Sequence, residues 1–199
     1  MLTVVAVLAG GRGSRMGGTK ATVQLQGRAL ISYPLEAAAA AGLRAVVVAK
    51  DSTPLPPLPP EVDLLVEREA LHHPLVGLIT ALRNFQRVIA VACDMPFLNG
   101  ELLRWLAAAP ATPLCFGDGQ RITPFPSIHV SEELTTLEAA VVREASLQAT
   151  FRELQLSQSA PLKTLPYSAL AGFGKPQRLL CSVNSPSELE HCAGLMAQS

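Results

Sequence analysis

Three short runs of almost continuously apolar residues stand out in the first half of the chain. They extend from Leu2 to Leu8, from Arg44 to Ala49 and from Val88 to Ala92, and all three are rich in valine. Strands that helices cover on both faces show this pattern, because neither face of the strand meets water. We therefore predict three strands of a buried, parallel sheet.

Helical patterns separate these strands. An alanine-rich segment from Ala29 to Ala41 ends at Gly42, and a second apolar segment extends from Pro74 to Phe85. Strand and helix thus alternate, which is typical of α/β folds with helices on both faces of a sheet. The predicted fold class is α/β, a three-layer αβα, Rossmann-like fold around a mostly parallel central sheet. Ligands of such folds bind at the carboxyl ends of the strands.

The pattern becomes less regular after Asp94. Asn99 is placed to cap a helix that continues through Ala108, and the next strand is predicted from Thr112 to Phe116. A turn at Gly117-Asp118-Gly119 then leads into an extended segment from Arg121 to Val130. This part of the chain therefore adds a hairpin to the predicted sheet.

Helix signals return towards the end of the chain. Helices are predicted to begin at Ser131 and at Ala145, and Leu179 to Val183 is predicted as a buried strand. Ser185-Pro186-Ser187-Glu188 then supplies a serine cap, a proline at the first helical position and a glutamate three residues after the cap. We expect a final helix to begin here and to cover the sheet.

Composition indicates one domain, residues 1–199, without a dominant surface charge. The chain is 49% hydrophobic, and 16 acidic residues balance 16 basic ones. This balance argues against nucleic acid or an anionic membrane as a partner. The apolar start lacks a basic leader, and the apolar runs fall short of the ~18 residues that span a bilayer. We therefore expect a cytoplasmic protein.

The four cysteines lie far apart, at Cys93, Cys115, Cys181 and Cys192. They form no C-x-x-C pair, and no histidines follow at the spacing of a zinc finger. The sequence therefore predicts neither a structural metal nor a disulfide scaffold.

A glycine-rich segment from Leu8 to Lys20 follows the first predicted strand. It contains five glycines and three cations, in the order Leu8-Ala9-Gly10-Gly11-Arg12-Gly13-Ser14-Arg15-Met16-Gly17-Gly18-Thr19-Lys20. Glycines let backbone amides converge on a phosphate, and the cations neutralise its charge. We interpret the segment as a polyphosphate-binding loop, which the cations favour over a merely flexible connection. As a surface connection, it should tolerate loss of Lys20 at little cost in stability.

Two better-known phosphate loops do not match this segment. A Walker loop needs Gly-Lys-Ser/Thr, whereas Lys20 follows Thr19 and precedes Ala21. A dinucleotide-binding loop needs a third glycine at the position of Met16, and Asp51 lies too far along the chain to be its acidic partner. Neither a P-loop NTPase nor an NAD enzyme fits.

Asp94 directly follows the third apolar strand. A buried carboxylate at this place is costly unless a charged group pairs with it, and magnesium is a natural partner. The alternative is that Asp94 caps a turn or the following helix. Asn184 is a candidate second oxygen ligand, although an Asx turn or a helix cap explains it equally well.

The whole pattern L-A-G-G-x-G-x-R-M-G-x-x-K resembles that of the molybdenum cofactor guanylyltransferase family. Three other segments agree in type and order. His73-Pro74-Leu75-Val76-Gly77 resembles the family's G-P-L-x-G base-binding turn, Ala92 to Phe97 resembles its C-D-x-P-F metal motif, and Val183 to Pro186 resembles its terminal N-x-P. The resemblance extends over nearly the whole chain.

This resemblance implies a nucleotidyltransferase fold and a magnesium-dependent transfer of GMP from GTP to molybdopterin cofactor, with release of pyrophosphate. It implies a nucleotide-binding half over about residues 1–98 and an acceptor-binding half over about 99–199. Molybdenum cofactor insertion proteins or molybdoenzyme chaperones are the implied protein partners. The implied catalytic residues are Lys20, Arg15 and Asp94, and the implied magnesium ligands are Asp94 and Asn184. The implied nucleotide-binding residues are Leu8, Ala9, Gly10, Gly11, Arg12, Gly13, Lys20, Pro74, Leu75 and Gly77.

The chain also departs from the family pattern. The family often has an aspartate before the base-binding turn, where this chain offers Glu67, Arg68 and Glu69, and His73 replaces the first glycine of that turn. The residues that contact the base or ribose can therefore differ from those of the family. His72 and His73 either touch the nucleotide or are solvated. Arg121 is the candidate acceptor-binding residue, with an exposed hairpin arginine as the equal alternative.

Three other functions remain as alternatives. Ala9-Gly10-Gly11 resembles the guanylyl branch, whereas a cytidylyltransferase more often has Ala-Ala-Gly at this place. Sugar-1-phosphate nucleotidyltransferases share the loop but generally have longer chains. A non-catalytic nucleotide-binding adaptor for molybdoenzyme maturation would keep the same fold without turnover.

Overall fold

The computed structural model describes residues 2–10, 20–67, 73–110 and 112–198. The strands in these ranges are β1 (Val4–Leu8), β2 (Gln24–Leu25), β3 (Arg28–Ala29), β4 (Ala45–Ala49), β5 (Asp63–Val66), β6 (Arg87–Ala92), β7 (Leu114–Gly117), β8 (Ile122–Val130) and β9 (Lys163–Pro166). The α-helices are α1 (Ser32–Ala40), α2 (Leu75–Asn84), α3 (Gly100–Ala108), α4 (Leu134–Val142), α5 (Leu147–Gln155), α6 (Pro176–Leu179) and α7 (Pro186–Ala197).

A mostly parallel sheet forms the centre of the protein. Its strands lie in the order β5-β4-β1-β6-β8-β7-β9, and β8 runs antiparallel to both of its neighbours. The remaining pairs in the sheet are parallel. β2 and β3 form a separate small hairpin. The predicted αβα fold is thereby confirmed.

Both faces of the strands β1, β4 and β6 are buried, which explains their continuous apolar runs. Alternate residues of β1, β4 and β6 pack against α1 and α3 on one face. The intervening residues pack against α2, α4 and α5 on the other face. Val4 to Val7 in β1 are all fully buried as a result. β1 lies between β4 and β6, so the residues that follow it emerge at the middle of the sheet edge.

The predicted helix starts are confirmed where a side chain caps the helix. Asn99 Oδ1 accepts from Leu102 N at 2.9 Å at the start of α3. Ser185 Oγ accepts from Glu188 N at 3.3 Å at the start of α7, with Pro186 at the first helical position. These side chains satisfy backbone N–H groups that have no partner inside the helix.

The prediction of a buried strand from Leu179 to Val183 is wrong. Pro176 starts the short helix α6, which ends at Leu179, and residues 180–183 form no strand. One backbone hydrogen bond, from Val183 N to Asp94 O at 3.0 Å, connects this segment to the end of β6. The edge of the sheet beside β7 is taken by β9 instead.

The prediction that the last helix covers the sheet is also wrong. Cys192 on α7 packs with Leu25, Leu30 and Val183, in a small cluster that includes the β2–β3 hairpin. Cys192 is the one fully buried residue of α7, so this helix has too narrow an apolar face to cover the central sheet. α7 instead holds the hairpin that follows Lys20.

None of the helices in the described ranges has the length and apolar character needed to cross a bilayer. The proposed division of the chain into two halves near residue 98 stays a prediction.

Candidate active site

A cleft of about 500 Å³ opens at the carboxyl ends of β1 and β6. This is the place where ligands of open α/β sheets bind. The predicted site residues that line the cleft are Leu8, Gly10, Lys20, Pro74, Gly77, Asp94 and Asn184. Gly11, Arg12, Gly13 and Arg15 lie outside the described residues, so their roles stay predictions.

Lys20 joins two distant parts of the chain inside this cleft. Its Nζ donates to Asp94 Oδ2 at 2.6 Å and to Asn184 Oδ1 at 2.5 Å. The side chain of Asp94 is only 4% exposed, and that of Lys20 is 22% exposed. Because Asp94 is almost fully buried, removal of Lys20 would leave its charge without a partner, which is costly. Three residues predicted from separate motifs therefore meet at one point.

Asp94 offers a second oxygen that is buried without a partner. Among the described residues, Oδ1 has no hydrogen-bond partner, whereas Oδ2 accepts a hydrogen bond from Lys20 Nζ. A buried, unsatisfied carboxylate oxygen is costly, so the arrangement fits a cation or a donor brought by a ligand. The helix-cap role weighed for Asp94 belongs to Asn99 in this structure.

Hydrogen bonds orient the Asn184 amide towards Lys20. Asn184 Nδ2 donates to Ser182 O at 3.2 Å and to Ser182 Oγ at 3.1 Å, so Oδ1 faces the cleft. Asn184 N donates to Glu188 Oε2 at 2.6 Å, which fixes the backbone at the same point. Ser185, and not Asn184, caps α7 with its side chain.

These oxygens are of the kind that magnesium prefers. Asp94 supplies a carboxylate and Asn184 an amide carbonyl, both hard oxygen donors. In the described part of the chain, no three His, Cys, Asp or Glu side chains gather into a metal cluster. A magnesium ion held by few protein ligands takes its remaining ligands from water and substrate phosphates, which suits this open cleft.

Glu67 is a cleft residue whose position sequence analysis did not establish. It directly follows β5, and its backbone N donates to Ala49 O at 2.9 Å. A methyl group added to Gly10 would overlap its carboxylate, and one added to Gly77 would lie 3.1 Å from its Oε1. The Glu67 carboxylate therefore sits between the first loop and α2. An acidic residue at the carboxyl end of a predicted strand would have been a candidate for the cleft. Glu67 was missed because β5, the strand that it follows, was not predicted.

His73 has a structural role at the start of α2. Its Nδ1 accepts from Leu75 N at 3.2 Å, and its Nε2 lies 2.8 Å from Ala145 O. The ring therefore carries a proton on Nε2, which it donates to the carbonyl. Both ring nitrogens are thus occupied by the protein, although His73 also lines the cleft. His72 lies outside the described residues.

Three other predicted residues lie away from the cleft lining. Leu75 and Ala9 are buried in the core, so their side chains face other protein atoms. Arg121 is exposed in the turn between β7 and β8, where its backbone N donates to Asp118 Oδ1 at 2.7 Å. Binding of nucleotide by Leu75 and Ala9, and of acceptor by Arg121, stays a prediction.

Cys93 is the thiol that lines this cleft. Burial, reinforced by the negative charge of Asp94, raises its pKa to about 12, and the charge of Lys20 offsets this only in part. The thiol is therefore protonated at neutral pH and is not an activated nucleophile. Among the described residues, the cleft has the features of charge stabilisation.

Comparisons with known proteins identify the family. Residues 5–159 match the MobA-like NTP transferase domain. The molybdenum cofactor guanylyltransferase of Xanthomonas euvesicatoria is 32% identical over 155 residues, which are 75% of this chain and 78% of that protein. A probable molybdenum cofactor guanylyltransferase of Methanocaldococcus jannaschii is 25% identical, over 95% of this chain and 98% of that protein.

A solved structure shows the same fold along the entire chain. Molybdopterin-guanine dinucleotide biosynthesis protein A from Archaeoglobus fulgidus superposes with a TM-score of 0.80 at 23% identity, and the match covers 100% of both chains. The family model covers well over half of the present sequence. The chain therefore belongs to the MobA-like NTP transferase family of nucleotidyltransferases.

Proposed function

We propose that this protein is a magnesium-dependent guanylyltransferase that transfers GMP from GTP to molybdopterin cofactor and releases pyrophosphate. The observation that carries the proposal is the Lys20–Asp94–Asn184 cluster at the carboxyl edge of the sheet, with Asp94 Oδ1 buried and unpartnered among the described residues. The names of two relatives support the same reaction.

The cluster supplies the charges that transfer of a nucleotide needs. Asp94 and Asn184 would hold magnesium, which when bound neutralises charge on the reacting phosphate oxygens. Lys20, the last residue of the glycine-rich segment, lines the cleft, where its ammonium would stabilise the negative triphosphate. An acceptor phosphate oxygen attacks the α-phosphorus, the bond to pyrophosphate breaks, and the protein contributes mainly position and electrostatics.

Glu67 supports a preference for guanine. Guanine presents two neighbouring donors, N1–H and N2–H, and a carboxylate accepts from both at once. Cytosine presents one donor beside an acceptor, so its acceptor would face the negative carboxylate. The Glu67 carboxylate lies against Gly10 and Gly77, two of the glycines that are predicted to bind the nucleotide. A base inserted between these two glycines therefore meets it.

Turnover with separate triphosphates tests the proposal. The purified protein is incubated with magnesium, molybdopterin and either GTP, CTP or ATP, and both pyrophosphate release and the mass of the dinucleotide product are measured. We expect a guanine dinucleotide with GTP and no product after the metal is chelated. A product with CTP alone would make the protein a cytidylyltransferase. Tight GTP binding without pyrophosphate release would make it an adaptor.

A further inference from the structure

Two of the four cysteines are in contact beside the active-site cleft. The Sγ atoms of Cys181 and Cys192 lie 3.2 Å apart, although eleven positions separate them in the sequence. Both are free thiols in this structure. A disulfide has an S–S bond of about 2.05 Å, so a relative shift of about 1 Å would join them. This pair is absent from the sequence prediction, because its spacing follows no known disulfide or metal pattern.

Cys181 is the accessible member of the pair. It is half-buried and lines a second cleft of about 620 Å³, which Lys175, Arg178 and His191 also line. Reactive thiols are typically found in such partly exposed, electropositive surroundings. A small oxidant that enters this cleft therefore meets the Cys181 sulfur first.

The other three thiols are protected by burial. Burial raises the pKa of Cys192 to about 12, as it does for Cys93, and raises that of Cys115 to about 11. Cys192 is fully buried and is shielded behind Cys181. Oxidation should therefore begin at one thiol and proceed to the neighbour in contact with it.

We propose that Cys181 and Cys192 form a reversible disulfide when a peroxide is present, and that this bond weakens ligand binding at Asn184. The Cys181 sulfur attacks a peroxide oxygen and becomes a sulfenic acid as the O–O bond breaks and, for hydrogen peroxide, one water leaves. The hydroxyl group of the sulfenic acid then takes the proton of the Cys192 thiol and leaves as a second water, while the Cys192 sulfur, already in contact with Cys181, forms the S–S bond, so the step needs no free thiolate. The two thiols lose two electrons in total, which the peroxide accepts.

The connection to the active site passes through Ser182. Cys192 is fully buried in a cluster with Val183, whereas Cys181 packs against this cluster and is only half-buried, so closing the S–S distance moves Cys181 more than Cys192. Ser182 follows Cys181 directly and accepts both hydrogen bonds of the Asn184 amide group. A shift of about 1 Å here turns Asn184 Oδ1 away from Lys20, since hydrogen bonds of this kind tolerate only small displacements.

Peptide mapping tests whether the disulfide forms. The reduced protein is treated with equimolar hydrogen peroxide, and its intact mass and non-reduced peptides are measured. We expect a mass loss of two hydrogen atoms and a peptide that links Cys181 to Cys192, both reversed by dithiothreitol. Cys181→Ser and Cys192→Ala should form no link, whereas Cys115→Ser should form it as the unchanged protein does. Oxidation of Cys181 to sulfinic acid, or a link between two molecules, would overturn the proposal.

Two further measurements test the effect on Asn184. Hydrogen exchange at the Val183 and Asn184 amides should become several-fold faster in the oxidised protein and stay unchanged in peroxide-treated Cys181→Ser. The second measurement is Mn²⁺ binding in the presence of GTP, followed by electron paramagnetic resonance. It rests on the proposed function, so binding is first established in the reduced protein. We expect oxidation to weaken Mn²⁺ binding about tenfold or more.

The outcomes separate the two proposals. A reduced protein that binds neither Mn²⁺ nor GTP contradicts the proposed function, and the disulfide is then judged by mapping and hydrogen exchange. If the disulfide forms while exchange at Val183 and Asn184 stays unchanged, the proposed connection to the site is wrong.

Discussion

The Lys20 ammonium lies 2.6 Å from Asp94 Oδ2 and 2.5 Å from Asn184 Oδ1, the two side chains best suited to hold a metal ion. The Lys20 ammonium and a bound metal cation would therefore compete for the same two oxygens. A nucleotide triphosphate offers Lys20 another partner, so nucleotide and metal should bind with positive coupling.

Replacement of Lys20 by methionine tests this competition. Lys20→Met should bind Mn²⁺ more tightly than the unchanged protein in the absence of nucleotide, because the competing cation is gone. It should bind GTP more weakly and turn over more slowly, because a charge on the triphosphate is lost. Titration of Mn²⁺ with and without GTP measures both effects. Equal Mn²⁺ affinity of both proteins without GTP would argue against the competition.

The same variant should be less stable than the sequence suggested. A lysine in a surface loop is expected to cost little when removed, but Lys20 pairs with a carboxylate that is 4% exposed. Its loss leaves a buried charge without a partner, which costs about 3 kcal/mol of unfolding free energy. Lys20→Arg should recover much of this, and Lys163→Met, on the exposed edge of β9, should cost little. Chemical denaturation of the three variants provides the comparison.

Asp94→Asn should separate catalysis from stability. The substitution keeps the size of the side chain but removes the charge that magnesium needs, a loss of several kcal/mol in the transition state. Turnover should fall roughly a thousandfold, since each ~1.4 kcal/mol corresponds to a factor of ten. The melting temperature and the turnover rate of one preparation show whether the substitution affects catalysis, stability or both. Near-normal turnover with unchanged magnesium dependence would contradict the metal assignment.

How well the sequence predicted the sheet depended on burial. β1, β4 and β6 are covered on both faces, so each appears as a continuous apolar run. β5 and β9 lie at the two edges of the sheet and were missed. Leu64 and Val66 of β5 are exposed, and Lys163 at the start of β9 is charged and exposed, so neither strand has a buried pattern.

How well the sequence predicted the site depended on where each residue stands relative to a strand. Asp94 was found because it follows a recognisable buried strand. Asn184 was found by its motif, but it was placed after a strand that does not exist, and its position comes from bonds to Ser182 and Glu188. Glu67 lies near Gly10 because β5 pairs in parallel with β4, a contact between distant segments that no local sequence pattern encodes.

Arg87 should be needed for stability and not for catalysis. This buried arginine donates to Thr3 Oγ1 and to the carbonyls of Leu106, Ala107 and Ala109 at the end of α3. Arg87→Ala leaves these acceptors without their donor, so the protein should lose about 3 kcal/mol or more of unfolding free energy.

The matched control for Arg87 is Arg143, whose ion pair with Glu153 is about half exposed. Arg143→Ala should change stability by less than about 1 kcal/mol. Denaturation curves measure both variants, and the folded fraction of Arg87→Ala should retain its turnover. An unchanged midpoint for Arg87→Ala would contradict the assigned role at the end of α3.

Glu67→Gln should reduce the preference for GTP over CTP. Glutamine keeps the size of the side chain but offers guanine one acceptor and one donor, so one of the two base N–H groups loses its partner. The ratio of kcat/KM for GTP to that for CTP should fall by about tenfold or more. Glu61→Gln, on the exposed segment before β5, is the matched control and should leave the ratio unchanged. An unaltered ratio in Glu67→Gln would remove Glu67 from base recognition.

Gly10→Ala tests the same contact from the opposite side. Gly10 lies outside the left-handed region of backbone conformation, so alanine is allowed there, and the added methyl group conflicts with the Glu67 carboxylate. The flexible Glu67 side chain must move, which should weaken GTP binding about tenfold while stability changes little. Gly172→Ala, where an added methyl group meets no atom within 4 Å, should leave both unchanged.

The double variant Gly10→Ala/Glu67→Gln decides whether the two residues act together. If the methyl group acts by displacing the carboxylate, removing the charge as well should add little, and the free-energy losses in GTP binding should be clearly less than additive. Calorimetry of the unchanged protein, both single variants and the double variant gives the coupling. Losses that simply add would mean that Gly10 and Glu67 affect GTP independently, and the methyl group would then act by some route other than displacement of the Glu67 carboxylate.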